Sequence, residues 1–253
     1  MKLDVKSIED FQAGVILPIN KPYEWTSFDV VKKVKNQIGK RLRQVLDIRL
    51  KNFKVGHAGT LDPLAEGLVL VCTGKATKKI NELMSDEKEY VATIELGKTT
   101  PSYDLETDYD QTFPIEHITE EHVNKVLKSF IGEQDQVPPV YSAKNINGKR
   151  AYDYARKGED IVLKANKVTI TEIGLIECQM PILKIRIGGG KGTYIRSLAH
   201  DLGRKLESGA HLIKLIRTRI GSYKIDSSLT IEELEIFLED CDDQLQMMEN
   251  ALV

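Results

Sequence analysis

An α+β fold is predicted by three features of the sequence. Tyr90, Ala92, Ile94 and Leu96 alternate with Val91, Thr93 and Glu95, and Leu183, Ile185 and Ile187 alternate with Lys184 and Arg186, the period of two of a β-strand. Val30, Val34 and Ile38 in one segment, and Ile195, Leu198, Ala199, Leu202 and Leu206 in another, recur at the spacing of an amphipathic helix. Strand and helix patterns follow one another irregularly, and no unit repeats, which favours α+β over a solenoid or a doubly wound sheet.

Taken in order, Ser27 is placed to cap the first clear helix and Gly39 to end it. From Lys32 to Lys54 there are nine cations (Lys32, Lys33, Lys35, Lys40, Arg41, Arg43, Arg49, Lys51, Lys54) and one acid, Asp47, so phosphate contact competes with the ordinary reading of a solvated helix face. Gly56-His57-Ala58-Gly59-Thr60-Leu61-Asp62-Pro63 reads as a loop of small residues, and Leu68–Cys72 as a buried strand. Tyr90 opens the next strand and Gly97 closes it. Val123, Val126, Leu127, Phe130 and Ile131 follow helical spacing, and Pro138-Pro139 then marks a surface connection before Tyr141. The strand ending in Gly188-Gly189-Gly190 leads to Thr193, placed to cap the helix of Ile195 to Leu206.

The length, 253 residues, suits one large domain or a domain with an appendage. The charged N-terminus lacks an apolar core, and no apolar stretch approaches bilayer-spanning length, so a cytoplasmic protein with no membrane partner is expected. Cys72, Cys178 and Cys241 are widely separated and read as reduced thiols. The net charge of −2 conceals an asymmetry, because nine acids and no Lys or Arg follow Lys224. Residues 1–224 therefore hold all 36 basic residues against 29 acids, a basic body suited to a nucleic-acid partner.

The glycine run fails the phosphate-loop pattern, since Gly192 follows Gly190-Lys191, and fails the dinucleotide pattern, since Thr193 stands where a third glycine is needed. The five histidines show no metal-ligand spacing, so neither cofactor nor metal is expected. Arg196 falls in the first turn of its helix, where a cation opposes the helix dipole and calls for an anionic partner, a loop Asp or an RNA phosphate. On periodicity alone, it is an ordinary exposed arginine.

Six blocks between residues 14 and 223 resemble the TruB family of pseudouridine synthases in order and spacing. They are Lys21-Pro22 with Thr26-Ser27; Gly56 to Pro63 with Gly67; Lys88-x-Tyr90 with Leu96-Gly97; Pro138-Pro139-x-Tyr141-Ser142-Ala143-Lys144 with Gly148; Gly192-Thr193-Tyr194-Ile195-Arg196 with Asp201-Leu202-Gly203; and Leu215-x-Arg217 with Gly221. The resemblance implies the pseudouridine synthase fold, a mixed, largely antiparallel central sheet flanked by helices with the active-site cleft across it. It implies isomerisation of uridine to pseudouridine at position 55 in the T-loop of tRNA by a monomer, without cofactor, with Asp62 as the catalytic carboxylate. By the same resemblance, Arg196 pairs with Asp62, Tyr90 stacks on the uracil, and His57 takes the place left by the flipped uridine. Lys21 supports the active-site floor and Leu215 gives an apolar contact near the base. Tyr141, Tyr194 and Lys144 join the RNA groove. The basic segment from Lys40 to Asn52 aligns poorly with the family, and it is on its charge that Arg41, Arg43, Arg49 and Lys51 are the expected phosphate contacts.

The chain departs from the family pattern at Glu24, usually Gly, and at Glu66, often Thr, neither of which replaces a chemical group, and at Gly189-Gly190, commonly Cys-Ser, which fits a position that serves backbone geometry rather than catalysis. Residues 1–228 are expected to form the catalytic domain and residues 229–253 an acidic helical tail docked through Leu229, Ile231, Leu234, Phe237 and Leu238, with no RNA-binding PUA domain. The alternatives are a non-catalytic tRNA-binding or folding protein on the same scaffold, which an altered Asp62 or Arg196 would have favoured; a relative that modifies a different RNA or is directed by guide RNA, the latter disfavoured by the expected lack of a PUA domain; and a hydrolase, for which no second acid or base is at hand.

Overall fold

The computed structural model describes residues 8, 10–46, 53–142, 144–146, 148–155, 157, 159 and 161–250. The chain forms two compact units, one of Met1–Asp86 with Ile216–Val253 and one of Glu87–Leu215. Among the described residues, no helix is long and apolar enough to cross a membrane.

The first unit begins with α1 (Asp10–Ala13), β1 (Ile16–Lys21), α2 (Ser27–Leu46), β2 (Val55–Ala58), β3 (Ala65–Thr73) and, after a 3-10 turn, α3 (Ile80–Leu83). β1 and β2 both pair antiparallel with β3, which places Lys21 opposite Gly67 and His57 opposite Val71. β3 contains the run expected to be a buried strand, and it is buried from Gly67 to Thr73.

Two expectations about α2 need correction. Gly39 does not end it. Val30, Val34 and Ile38 are joined by Leu42, all fully buried, and this further turn of apolar contact outweighs the roughly 1 kcal/mol cost of a mid-helix glycine. Ser27 does not cap it either. Thr26 accepts from the Asp29 amide at 3.0 Å while the Asp29 carboxylate accepts from the Thr26 amide at 3.0 Å, a reciprocal cap that leaves the Ser27 hydroxyl for another task.

The second unit comprises β4 (Lys88–Leu96), β5 (Lys98–Thr99), β6 (Gln111–Thr112), α4 (Glu120–Lys128), β7 (Gly132–Gln136), β8 (Asn145–Ile146), β9 (Lys149–Arg150), α5 (Ala151–Ala155), β10 (Asn166–Gln179), β11 (Ile182–Gly189), α6 (Ile195–Lys205) and the start of β12 (Ala210–Ile220). Its core is an antiparallel sheet in the order β4-β11-β10-β7, with α4 packed on β10 and α6 on β4. Strict alternation in β4 buries Tyr90, Ala92, Ile94 and Leu96; the strand opens two residues before Tyr90, at Lys88. Pro138 and Pro139 lie in an irregular segment as expected, yet both are buried.

Helix α6 buries its whole predicted stripe. Its start is not capped by Thr193, whose hydroxyl donates to the Gly190 carbonyl at 2.9 Å and closes the glycine turn. Gln136 at the end of β7 holds Tyr194 instead, accepting from its amide at 2.8 Å and donating to its carbonyl at 3.1 Å.

The chain re-enters the first unit along β12 and adds β13 (Tyr223–Lys224) and α7 (Ile231–Asn250). Leu229 bridges to Ile19 on β1, and Ile231, Leu234 and Leu238 are buried where α7 packs on α2 and β1.

Candidate active site

The loop carrying Asp62 leaves β2 through Gly59, whose φ of +90° suits glycine, and enters β3 after a turn in which the Ala65 amide donates to the Asp62 carbonyl at 3.1 Å. Three buried side chains of the first unit grip its main chain. Ser27 Oγ accepts from the Leu61 amide at 2.9 Å and donates to the Leu61 carbonyl at 3.2 Å. Arg217, almost fully buried, donates from Nε to the Leu68 carbonyl at 2.7 Å, from Nη1 to Thr60 at 3.3 Å and from Nη2 to Gly59 at 3.2 Å. Lys21, fully buried, donates from Nζ to the carbonyls of Pro22 at 2.9 Å, Trp25 at 2.6 Å and Pro63 at 3.2 Å.

The main chain on both sides of Asp62 is thus fixed, while its side chain is only half-buried. Glu24 adds a bond from its amide to the Pro63 carbonyl at 2.9 Å, and to do so adopts a φ of +65°. That left-handed geometry accounts for glycine as the usual residue of this motif. Gly67 is required twice over: its φ is +106°, and a Cβ there would clash with the Arg217 carbonyl oxygen.

Burial lowers the Lys21 ammonium from 10.5 to about 8, with the negative charges of Asp62 and Glu66 opposing the shift. His57 is half-buried on β2, and burial holds its imidazole below the ordinary value, favouring the neutral ring.

The second unit carries the other residues singled out. Arg196 is buried in the first turn of α6, with Nη1 3.3 Å from Asp104 Oδ2 and donating to the carbonyls of Tyr141 at 2.8 Å and Ser102 at 3.4 Å. An anionic partner answers the helix-dipole argument within this unit. Tyr90 is buried on β4 opposite Ile187, Leu215 is buried on β12, and Tyr194 and Tyr141 are half-exposed. Lys144 Nζ bridges the Lys164 carbonyl and Asn166 Oδ1, each at 3.0 Å.

Of the expected phosphate contacts, Arg43 is exposed on α2, whereas Arg41 is half-buried on the same helix. Arg49 and Lys51 lie outside the described residues, as does Ala143 of the fourth motif block. Among the described residues, no group of three or more His, Cys, Asp or Glu side chains is arranged to hold a metal ion.

Arg217, Ser27 and Asp104 received no role in the site from the sequence. The first two stand in the recognised motif blocks, which was the available signal; Asp104 had none.

Comparison with known proteins matches residues 43–195 to the TruB family pseudouridylate synthase N-terminal domain and residues 196–252 to the tRNA pseudouridylate synthase B C-terminal domain. The second match carries the resemblance beyond the last recognised motif, through α7. A tRNA pseudouridine synthase B from Parabacteroides distasonis is 54% identical over 230 residues, covering 91% of this chain and 95% of the relative. One from Phocaeicola vulgatus is 52% identical over 230 residues, with the same coverage. Among solved structures, a Cbf5-Nop10-Gar1 complex contains a chain of TM-score 0.66 and 27% identity, matched over 94% of this chain; this chain spans 64% of that one.

Proposed function

The chain belongs to the TruB family of pseudouridylate synthases, and from that premise we propose that it isomerises uridine to pseudouridine at position 55 in the T-loop of tRNA, with Asp62 as the catalytic carboxylate. The observation that carries the assignment to Asp62 is the grip of Ser27, Arg217, Lys21 and Glu24 on residues 59, 60, 61 and 63. Four side or main chains spend their hydrogen bonds on holding the backbone around one carboxylate, which is how a reacting group is pre-organised.

The reaction breaks the C1′–N1 bond, rotates the uracil, and joins C1′ to C5, from which a proton leaves. Asp62 serves it as nucleophile at C1′ or C6, or as the base of a glycal route, and each role uses the ionised carboxylate. Arg196 stabilises that ionised form, and Tyr90 stacks on the uracil. His57 takes the place left in the T-loop by the flipped uridine, Lys21 supports the active-site floor through the Pro63 carbonyl, Leu215 gives an apolar contact near the base and Tyr194 joins the RNA groove; unstacking the uridine costs a few kcal/mol that the pocket offsets. The protein acts on the T-arm as a monomer in the cytoplasm.

Pseudouridine mapping by carbodiimide adducts and primer extension on an unmodified tRNA transcript tests this reading. One stop at position 55 is expected with the wild-type protein and none with Asp62→Asn. Stops only at other uridines would overturn the positional assignment.

A further inference from the structure

Helix α2 carries a cationic face that the catalytic account leaves unused. Phe28, Lys32, Lys35, Gly39 and Arg43 follow one another at intervals of four, three, four and four residues, so they form a single stripe along the side opposite the buried Val30, Val34 and Ile38. Lys32, Lys35 and Arg43 are exposed, and Lys33 and Lys40 flank them. The single acid on this face, Asp29, is engaged with Thr26 at the helix start. At the head of the stripe, Phe28 is 69% exposed and Tyr23 47% exposed, and a groove of about 460 Å³ is lined by Glu24, Trp25, Asp29, Lys32, Lys33 and Asn36. The acidic α7 packs on α2, and α2 keeps this face open to solvent.

The position of the stripe decides what it fits. Its helix begins at Ser27, the residue that holds Leu61 beside Asp62, and then runs roughly 30 Å, at about 1.5 Å per residue, away from the catalytic loop. The stripe starts beside the catalytic loop with an exposed aromatic and continues with cations about one helical turn apart, the pairing of stacking and charge that RNA-binding surfaces use.

We propose that the exposed face of α2, through Lys32, Lys35 and Arg43, is a phosphate-tracking surface for the substrate RNA beyond the loop that carries the target uridine. The proposal rests on the reading of the chain as a tRNA-modifying enzyme and extends it to residues that touch no reacting atom. It also reorders the basic segment, because Arg41 is turned partly inward while Lys32 and Lys35 stand on the open face.

The test compares wild type, a Lys32→Ala/Lys35→Ala/Arg43→Ala variant, and a charge-matched control with the exposed Lys125, Lys128 and Lys184 changed to Ala. Two readouts are used: anisotropy of labelled unmodified tRNA across a salt series, and tritium release from C5-labelled tRNA. The α2 variant is expected to bind about tenfold or more weakly at moderate salt, with the slope of log affinity against log salt shallower by about two to three. Its KM rises while kcat at saturating tRNA stays within about twofold of wild type, and the control stays near wild type in both. Affinity and salt slope equal to wild type, or an equal loss in the control, would overturn the proposal. Wild-type protein that binds tRNA and releases no tritium would refute the catalytic reading instead, and the binding series still decides the role of α2.

Discussion

Lys21 is a buried cation whose three donors are all taken by carbonyls, one of them that of Pro63, next to Asp62. Its folded value of about 8 lies below the ordinary 10.5, so between these limits the unfolded chain binds more protons, and this group makes stability rise with pH across that window. Activity moves the other way: loss of the Lys21 proton near pH 8 removes one donor and a positive charge close to Asp62. A pH profile of kcat/KM should fall along an alkaline limb near pH 8, and Lys21→Met should show a lower plateau without that limb. An identical limb in the variant would assign it to another group.

At Glu24, a residue with a Cβ adopts a conformation that costs roughly 1–2 kcal/mol in the left-handed region. Glu24→Gly is therefore expected to stabilise the protein by about 1 kcal/mol in urea unfolding; a destabilisation would mean that the glutamate side chain contributes more than the strain costs. The departure from the motif was visible in the sequence, but its meaning was not, because a dihedral angle leaves no trace in a single chain of letters. Ser27 and Arg217 were hidden for a related reason. Their partners lie 34 and up to 158 residues away, and a side chain bonded to a distant carbonyl has no period to betray it. Asp104, paired with Arg196 across 92 positions, is the same case, although the dipole argument did call for such an anion.

Among the elements, those that bury one face were legible. The alternation of β4 and the stripe of α6 predicted burial residue by residue, because side-chain direction there follows from local geometry alone. Boundaries were less so: both expected caps, Ser27 and Thr193, hold loop carbonyls rather than helix amides. The acidic C-terminal segment follows the first rule, with Ile231, Leu234 and Leu238 buried and Glu232, Glu233, Glu235, Glu239 and Asp240 exposed. Burial of each of these three side chains contributes about 2 kcal/mol, and Leu229 adds a backbone bridge to β1. Deleting residues 229–253 should lower the melting temperature by on the order of 10 °C. An unchanged transition would show that α7 adds nothing to the first unit.

Across the whole molecule, the chain passes from one unit to the other and back, and the residues singled out for chemistry divide between them. Lys21, His57, Asp62 and Arg217 belong to the first; Tyr90, Tyr194, Arg196 and Leu215 belong to the second. Charge is divided as well, since a basic body is followed by nine acids after Lys224. The net value of −2 therefore says little about the surface that RNA meets. Whether Asp62 performs the isomerisation is read from tritium release by tRNA labelled at uridine C5. Multiple-turnover release by the wild-type protein without added metal or cofactor, abolished in Asp62→Asn with tRNA binding retained, is the predicted result. Release that persists in Asp62→Asn, or tight binding without release by the wild-type protein, would contradict it.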